Sequence, residues 1–206
     1  MTAQEILSAA GGAELGRKPV FNACCSCNAD FVVDSIGAPG KATLKSILNP
    51  FDSELYAALK QDPEAGNRLL EAKSLAIKSE IESAWNEGYD GILYEIRGAD
   101  AETSTPMQYG GILLEVDREI LSSVRADKLS LAWILGAEPF LDIVSDLPCT
   151  ILAFHAESAD ELVSELRQLR SGWIAANSTE ADVRLSLVCE CGSQCSCSEG
   201  ELTHAS

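Results

Sequence analysis

Four cysteines near the C-terminal end of the sequence have the side-chain type and spacing of a thiolate metal site. They form two Cys-x-Cys pairs separated by a Gly-Ser-Gln spacer: Cys189, Cys191, Cys195 and Cys197. Thiolates are soft ligands that prefer zinc, copper(I) or other thiophilic metals, and the spacer lets both pairs face one ion. Paired zinc ligands more often have gaps of about two to four residues. The spacing therefore favours copper(I) or a metal–thiolate cluster, with zinc as the alternative.

Three further cysteines, Cys24, Cys25 and Cys27, lie at the end of the first predicted strand, 19–24. We predict that they also bind metal and that they meet the C-terminal thiols if that segment folds across the end of the strand. The clustering indicates reduced thiols used as ligands. The alternative, that these thiols bind nothing specific or form adventitious disulfides, stays open.

A second group of candidate residues lies at the ends of predicted strands. We predict Glu95, Arg97 and His155 as catalytic residues, because sites in parallel β/α folds gather where the carboxyl ends of the strands meet. Glu95 could be a general base or a cation ligand, and Arg97 could bind a carboxylate with its planar guanidinium. The imidazole of His155 could transfer a proton or bind a metal.

Trp133 and Asn177 satisfy the same rule, and we predict that they bind a cofactor or substrate. The alternative for the whole group is structural. Polar strand ends commonly pair with their neighbours, a single histidine is commonly a hydrogen-bonded residue of the core or rim, and Trp133 could belong to the core.

The stretch 62–98 predicts the element that positions these residues. Leu70, Ile77, Ile81 and Ala84 recur at steps of seven, four and three residues, which is typical of one face of an amphipathic helix. Pro63 suits the first helical turn, and a glycine at position 88 suits the end of the helix. The apolar stretch 91–96 then predicts a buried strand, so helix and strand together form half of a β/α unit.

The rest of the chain repeats this unit. The pattern predicts about six strands: 19–24, 91–96, 128–135, 149–155, 173–177 and 183–189. Helices separate most of them, which favours a parallel α/β architecture. A full eight-stranded barrel usually needs about 250 residues. We therefore expect a barrel-like fold, a reduced or partial TIM barrel. It would either stay open or be completed by a partner copy in a homodimer. It would span residues 1–188, followed by a flexible Cys-rich tail, 189–206.

The net charge of −17 opposes binding to nucleic acid or to an anionic membrane, since both are also negative. We therefore expect a small-molecule or metal-ion partner. No apolar run has the length of about 18 residues that a spanning helix needs. Residues 1–16 contain no lysine or arginine, unlike the start of a signal peptide, and we expect a cytoplasmic protein.

Two segments resemble the uroporphyrinogen decarboxylase superfamily, which includes corrinoid-dependent methyltransferases. The first is the helix followed by Glu-Gly-Tyr-Asp-Gly-Ile at 87–92, and the second spans 140–177; the resemblance covers 69–177 in all. It implies a β/α barrel that binds a tetrapyrrole, a corrinoid or a small acidic substrate. It also implies decarboxylation or methyl transfer.

The catalytic motifs of that superfamily are not matched. No paired arginines precede the first strand, and the place of the methyltransferases' zinc-binding His-x-Cys pair is taken by Ala-Trp-Ile-Leu-Gly at 132–136. The sequence therefore leaves two functions open. One is an enzyme with a site at the strand ends, and the other is a non-catalytic, thiol-rich protein that binds or transports metal on a barrel scaffold.

Overall fold

The computed structural model describes residues 1–22, 29–36 and 38–186. The strands of this part of the chain are Val20–Asn22 (β1), Phe31–Val33 (β2), Ala42–Leu48 (β3), Gly91–Ile96 (β4), Leu129–Ile134 (β5), Ile151–Ala153 (β6), Trp173–Ala176 (β7) and Val183–Ser186 (β8). The α-helices are Ala3–Ala10 (α1), Ser53–Gln61 (α2), Pro63–Glu87 (α3), Pro106–Gln108 (α4), Leu114–Ser122 (α5), Leu141–Val144 (α6) and Ala159–Leu169 (α7). A π-helical turn, Tyr109–Leu113, joins α4 to α5.

All eight strands lie in one parallel sheet with the order β1-β8-β7-β6-β5-β4-β3-β2. The sheet curves into a nearly closed barrel, and the unpaired edges of β1 and β2 lie next to each other. Helices surround it, so the predicted parallel β/α barrel-like fold is confirmed. The carboxyl ends of all strands meet at one end of the barrel, called the mouth below.

The prediction of about six strands was wrong, because β2 and β3 were not identified. None of the six predicted strands covers 31–33, where β2 lies, or 42–48, where β3 lies. Only three residues form β2, and the half-exposed Lys45 and Ser46 interrupt the apolar run of β3. Eight strands fit into this chain because some connections are short: β7 leads to β8 through 177–182 without a helix.

Asp30 joins the two edges of the sheet. Its backbone N–H donates to the Val20 carbonyl of β1, and its own carbonyl accepts from the Ala42 N–H of β3. The Asp30 carboxylate accepts a hydrogen bond from the Val20 N–H at 2.9 Å and two from the Arg17 guanidinium. Burial raises the pKa of the Asp30 carboxyl, but these donors outweigh burial and hold it below its ordinary value.

Each strand contributes side chains to the filled interior of the barrel. They are Phe21, Phe31, Ala42, Leu44, Leu93, Leu129, Leu131, Ile151, Ala153, Ala175, Val183 and Leu185. Helix α1 covers the end opposite the mouth, where Ile6 is fully buried in the same cluster. A capping box of Thr2 and Glu5 starts this helix.

A second cluster fills the space between the sheet and the outer helices, and α3 provides its longest face. The predicted positions Leu70, Ile77, Ile81 and Ala84 are all buried. Gly88 ends the helix at φ 94°, a left-handed conformation that favours glycine. At the start of α7 the Ser158 side chain makes no capping hydrogen bond. The first turn of α7 is instead held by a hydrogen bond from Ser178 to Asp160.

Among the described residues, no helix combines the length and the apolar character that crossing a bilayer requires.

Candidate functional site

Glu95 lies on the inner face of β4, two residues beyond the buried interior residue Leu93. Its carboxylate is half-buried, and the Ser46 hydroxyl of the neighbouring strand β3 donates a hydrogen bond of 2.6 Å to Glu95 Oε1. One carboxylate oxygen is therefore fixed near the mouth. Oε2 has no hydrogen-bond partner among the described residues.

Asn49, directly after β3, holds the backbone of Glu95 and Arg97. Its backbone N–H donates to the Glu95 carbonyl at 2.9 Å. Its side-chain Oδ1 accepts from the Arg97 N–H at 3.2 Å, and Nδ2 donates to the Arg97 carbonyl at 3.0 Å. The half-buried Arg97 guanidinium forms no ion pair and no hydrogen bond with any described residue, so its fork is available to an anion.

A buried carboxylate supports Asn49 from outside the barrel. Asp117 of α5 is fully buried and accepts hydrogen bonds from Tyr94 at 2.6 Å and Tyr109 at 2.8 Å, with Asn49 Nδ2 at 3.4 Å. Burial raises the pKa of the Asp117 carboxyl to about 6, against the opposing effect of the three donors. Burial and the nearby carboxylate raise the pKa of both tyrosines above the ordinary range, so both remain neutral donors.

Trp133 of β5 is the register partner of Glu95 on β4, so the two side chains lie side by side on the inner face. The Trp133 ring contacts Phe21 edge-on, with centroids 5.8 Å apart. Phe21 in turn contacts Phe31 at 5.9 Å. These rings close the upper part of the interior, and half-buried Trp133 forms an apolar surface below the mouth.

Asn177 follows β7, and both polar atoms of its side chain are hydrogen-bonded to one residue. Its Oδ1 accepts from the Ala156 N–H at 3.2 Å, and its Nδ2 donates to the Ala156 carbonyl at 2.9 Å. Asn177 thus ties the end of β7 to the segment after β6, as Asn49 ties β3 to β4. His155 precedes Ala156 and is half-buried, and its ring has no hydrogen-bond partner among the described residues.

The predicted residues lie at the same end of consecutive strands: Glu95 and Arg97 on and after β4, Trp133 on β5, His155 after β6 and Asn177 after β7. Glu95 and Trp133 are brought together directly. His155 follows β6, two strands from β4, which is a lateral distance of about 10 Å at the usual strand spacing. It also lies two residues beyond Ala153, the residue in register with Glu95 through Trp133. A ligand of moderate size could contact both.

Two cavities of about 270 Å³ and 290 Å³ lie at the opposite end, beside α1 and the starts of the strands. Neither is lined by Glu95, Arg97 or His155. Their charged side chains are already paired: Lys128 donates to the Tyr89 carbonyl, and Lys18 donates to the carbonyls of Thr179 and Ala181. These cavities provide no comparable set of available polar groups.

The predicted metal ligands Cys24, Cys25, Cys27, Cys189, Cys191, Cys195 and Cys197 lie outside the described residues. Over residues 1–22, 29–36 and 38–186, no three His, Cys, Asp or Glu side chains come together as a metal site would require. The eighth cysteine, Cys149, is structural. Its Sγ lies 3.3 Å from the Arg170 guanidinium, which also binds the carbonyls of Ser145, Leu147 and Cys149.

The barrel is similar to that of a methyltransferase from Methanosarcina mazei, with a TM-score of 0.56. The match covers 67% of this chain and 43% of that chain, at 12% sequence identity. The protein thus shares the barrel fold of a methyltransferase but spans less than half of its length. No protein-family profile and no curated protein matches the sequence.

Ser46, Asn49 and Asp117 were missed by the sequence analysis. Ser46 and Asn49 belong to or follow β3, the strand that was not predicted. Asp117 did leave a signal, because it lies on the apolar face of its helix between Leu113 and Ile120, at steps of four and three residues. A carboxylate at such a position indicates a buried polar partner.

Proposed function

We propose that the protein binds a small carboxylic acid at the barrel mouth and transfers a proton to or from it, as decarboxylation requires. The observation that carries this proposal is that a carboxylate and a guanidinium lie close together in the chain at the end of β4. The Glu95 carboxylate is held in place by Ser46, and the Arg97 guanidinium has no partner among the described residues.

The chemistry of each side chain suits one role. Arg97 would bind a substrate carboxylate with two parallel N–H groups, and the Trp133 face would pack against the apolar part of the substrate. In decarboxylation a C–C bond breaks, carbon dioxide leaves, and the electron pair remains on the substrate carbon. That carbon then takes a proton from a general acid, which is the role of protonated Glu95 or of the His155 imidazolium.

The resemblance to the uroporphyrinogen decarboxylase superfamily supports an acidic substrate, with a tetrapyrrole as one class, and the fold of the Methanosarcina methyltransferase supports the same kind of barrel. Methyl transfer is the second reaction that this fold supports. There the nucleophilic atom of the substrate would bond to the methyl carbon of a methyl donor, the bond from that carbon to the donor would break, and the donor would leave with the electron pair. Glu95 or His155 would accept the proton that the nucleophile loses. The described residues do not fit a zinc ion, and nothing in their chemistry selects a corrinoid. No step is therefore assigned to either group.

Binding of a carboxylate-rich porphyrin tests the proposal. We expect coproporphyrin to quench tryptophan fluorescence in a saturable titration and Arg97→Gln to weaken binding about tenfold or more, because a charge-assisted pair is lost. Arg125→Gln is the matched control, since Arg125 precedes β5 at the opposite end of the barrel and pairs with Asp127. If the wild-type protein, Arg97→Gln and Arg125→Gln bind coproporphyrin with equal affinity, Arg97 does not belong to the binding site. No binding of coproporphyrin or of smaller di- and tricarboxylic acids would contradict the proposal itself.

A second function, metal binding by the cysteines, is supported by one register pair. Asn22, the last residue of β1, is the register partner of Ser186, the last residue of β8. The segments that carry Cys24 and Cys189 therefore start from adjacent points at the mouth, two and three residues after these partners. We propose that thiols of both segments bind one copper(I) or zinc site.

Metal content of the full chain, purified under reducing conditions, tests this second function. We expect bound copper or zinc in the wild-type protein and loss of metal when Cys189, Cys191, Cys195 and Cys197 are all replaced by serine. Replacing Cys24, Cys25 and Cys27 should reduce the content, whereas Cys149→Ser, as the control, should not. A metal-free wild-type protein after incubation with each ion would exclude the site.

A further inference from the structure

We propose that Asn49 and Asp117 are positioning residues that fix Arg97 at the barrel mouth. The inference deepens the proposed function and rests on it only for the role of Arg97 in binding the ligand. The placement of Arg97 itself can be measured without any ligand.

Arg97 lies where the regular pairing of β4 stops. The ladder with β5 reaches Ile96, whose carbonyl accepts from the Leu135 N–H. Gly98, which follows Arg97, has φ 87° and packs against the Phe51 ring, so the chain turns away from the sheet directly after Arg97. Both backbone groups of Arg97 are bonded to the Asn49 side chain. The direction in which Arg97 leaves the barrel therefore depends on one amide.

The orientation of that amide is fixed by its surroundings. Asn49 Nδ2 faces two acceptors, the Arg97 carbonyl and the Asp117 carboxylate, while Oδ1 faces the Arg97 N–H donor. A flipped amide would place its oxygen against both acceptors and its N–H groups against a donor. Asp117 thus helps to select the single orientation that pairs with both backbone groups of Arg97.

The setting of Asp117 argues against a merely space-filling role. Its carboxylate is fully buried and has three hydrogen-bond donors but no cationic partner among the described residues. An apolar side chain would fill the same space without the cost of burying a carboxylate. What the carboxylate adds is a common acceptor for three elements: β4 through Tyr94, the π-helical turn through Tyr109 and the end of β3 through Asn49.

The π-helical turn fits this interpretation. Such turns insert an extra residue into a helix and frequently occur at functional sites. Here the turn begins at Tyr109, whose hydroxyl reaches Asp117 eight residues later in the same continuous helical segment. The helical segment, β3 and β4 are therefore connected through Asp117 to the backbone that presents Arg97.

Amide hydrogen exchange at Arg97, followed by NMR, tests the proposal directly. We expect Asn49→Ala to increase the exchange rate of the Arg97 amide about tenfold, the effect of losing one hydrogen bond of ordinary strength, and Asp117→Asn to increase it several-fold. The Leu131 amide, in the centre of β5, follows the overall stability of the protein, so its rate should increase less than that of the Arg97 amide. Ser130→Ala is the matched control, because it removes a polar pair with Thr150 near the start of β5, far from the mouth.

Three outcomes would overturn the proposal: an unchanged Arg97 amide in Asp117→Asn, an equal acceleration of the Arg97 and Leu131 amides, or the same effect in Ser130→Ala. If Asp117→Asn does not fold, Tyr109→Phe removes a single hydrogen bond from the network and takes its place. In the porphyrin titration, Asn49→Ala should weaken binding without abolishing it. If the wild-type protein binds no carboxylate, the proposed function fails, while the exchange measurement still decides the positioning role.

Discussion

The Ser46 hydroxyl donates a hydrogen bond of 2.6 Å to Glu95 Oε1 across the neighbouring strands β3 and β4. Both side chains belong to the inner face near the mouth, and both are half-buried. A carboxylate held by a neutral donor in this way is oriented without being neutralised. Glu95 Oε2, which has no hydrogen-bond partner among the described residues, is left for a ligand or a proton.

The first prediction concerns this bond. Ser46→Ala should lower the free energy of unfolding by about 1–2 kcal/mol, because a partly buried carboxylate loses its donor. Ser83→Ala is the control, since Ser83 also donates to a glutamate, Glu87, but on the exposed surface of α3. Its effect should stay within about 0.5 kcal/mol. Urea unfolding of both variants measures the difference, and equal effects would show that Ser46 does not support Glu95.

The second prediction concerns pH and Asp117. Its pKa in the folded protein, about 6, lies above that of an unfolded aspartate, so the folded protein binds the proton more tightly. Protonation of Asp117 therefore contributes to the free energy of unfolding. This contribution is complete below about pH 4 and is lost as pH rises through about 6, which lowers the free energy of unfolding by at most about 3 kcal/mol.

Asp117→Asn should therefore remove this loss of stability between pH 4 and pH 6. Asp30, Asp52 and Asp127 titrate below this window, because hydrogen bonds and nearby cations hold the pKa of each below its ordinary value. Denaturant unfolding at several pH values gives the comparison. Parallel pH profiles of the variant and the wild-type protein would contradict the assignment.

The third prediction concerns the join between β1 and β2. Asp30→Ala should cost about 2–4 kcal/mol of unfolding free energy, since the change leaves the Val20 N–H and Arg17 without their acceptor. Because the pKa of Asp30 is lowered on folding, the difference from the wild-type protein should shrink as pH falls below about 4. Asp127→Ala, which removes a two-bond pair with Arg125 on the exposed surface, should have little effect. Equal losses in the two variants would contradict a special role of Asp30.

The fourth prediction compares two glycines. A Cβ at Gly91 would lie far inside contact distance of the Leu129 carbonyl oxygen, which belongs to a strand backbone that cannot move aside. Gly91→Ala should therefore destabilise the protein by about 2 kcal/mol or more. A Cβ at Gly110 meets nothing within 4 Å, so Gly110→Ala should be neutral or stabilising by up to about 1 kcal/mol. Thermal unfolding of both variants checks the contrast.

The sequence predicted those parts of the fold that have a long period or a strong cap. The apolar face of α3, its glycine end and the bounds of β4 all agree with the structure. It failed at β2 and β3, because strands of this kind are defined by their pairing partners more than by their own composition. The same failure hid Ser46 and Asn49, since a positioning residue is recognisable only once the adjacent strand is known.

For the candidate site, too, the sequence predicted one part and missed another. Glu95, Arg97, Trp133, His155 and Asn177 were predicted from the rule that strand ends meet, and all lie on or just after consecutive strands. What the sequence could not provide was the state of each side chain. Asn177 is committed to the Ala156 backbone, whereas the Arg97 guanidinium is not engaged by any described group. That difference depends on contacts between segments far apart in the chain.

Helix α1 closes the end of the barrel opposite the mouth, with Ile6 buried among the interior side chains. The described side chains fill the interior below Trp133, so they leave no path through the barrel along its axis. Whatever binds above Trp133 must enter and leave by the same route. If the protein catalyses the proposed reaction, a product that stays bound would block the next substrate, and inhibition by product should be competitive with substrate.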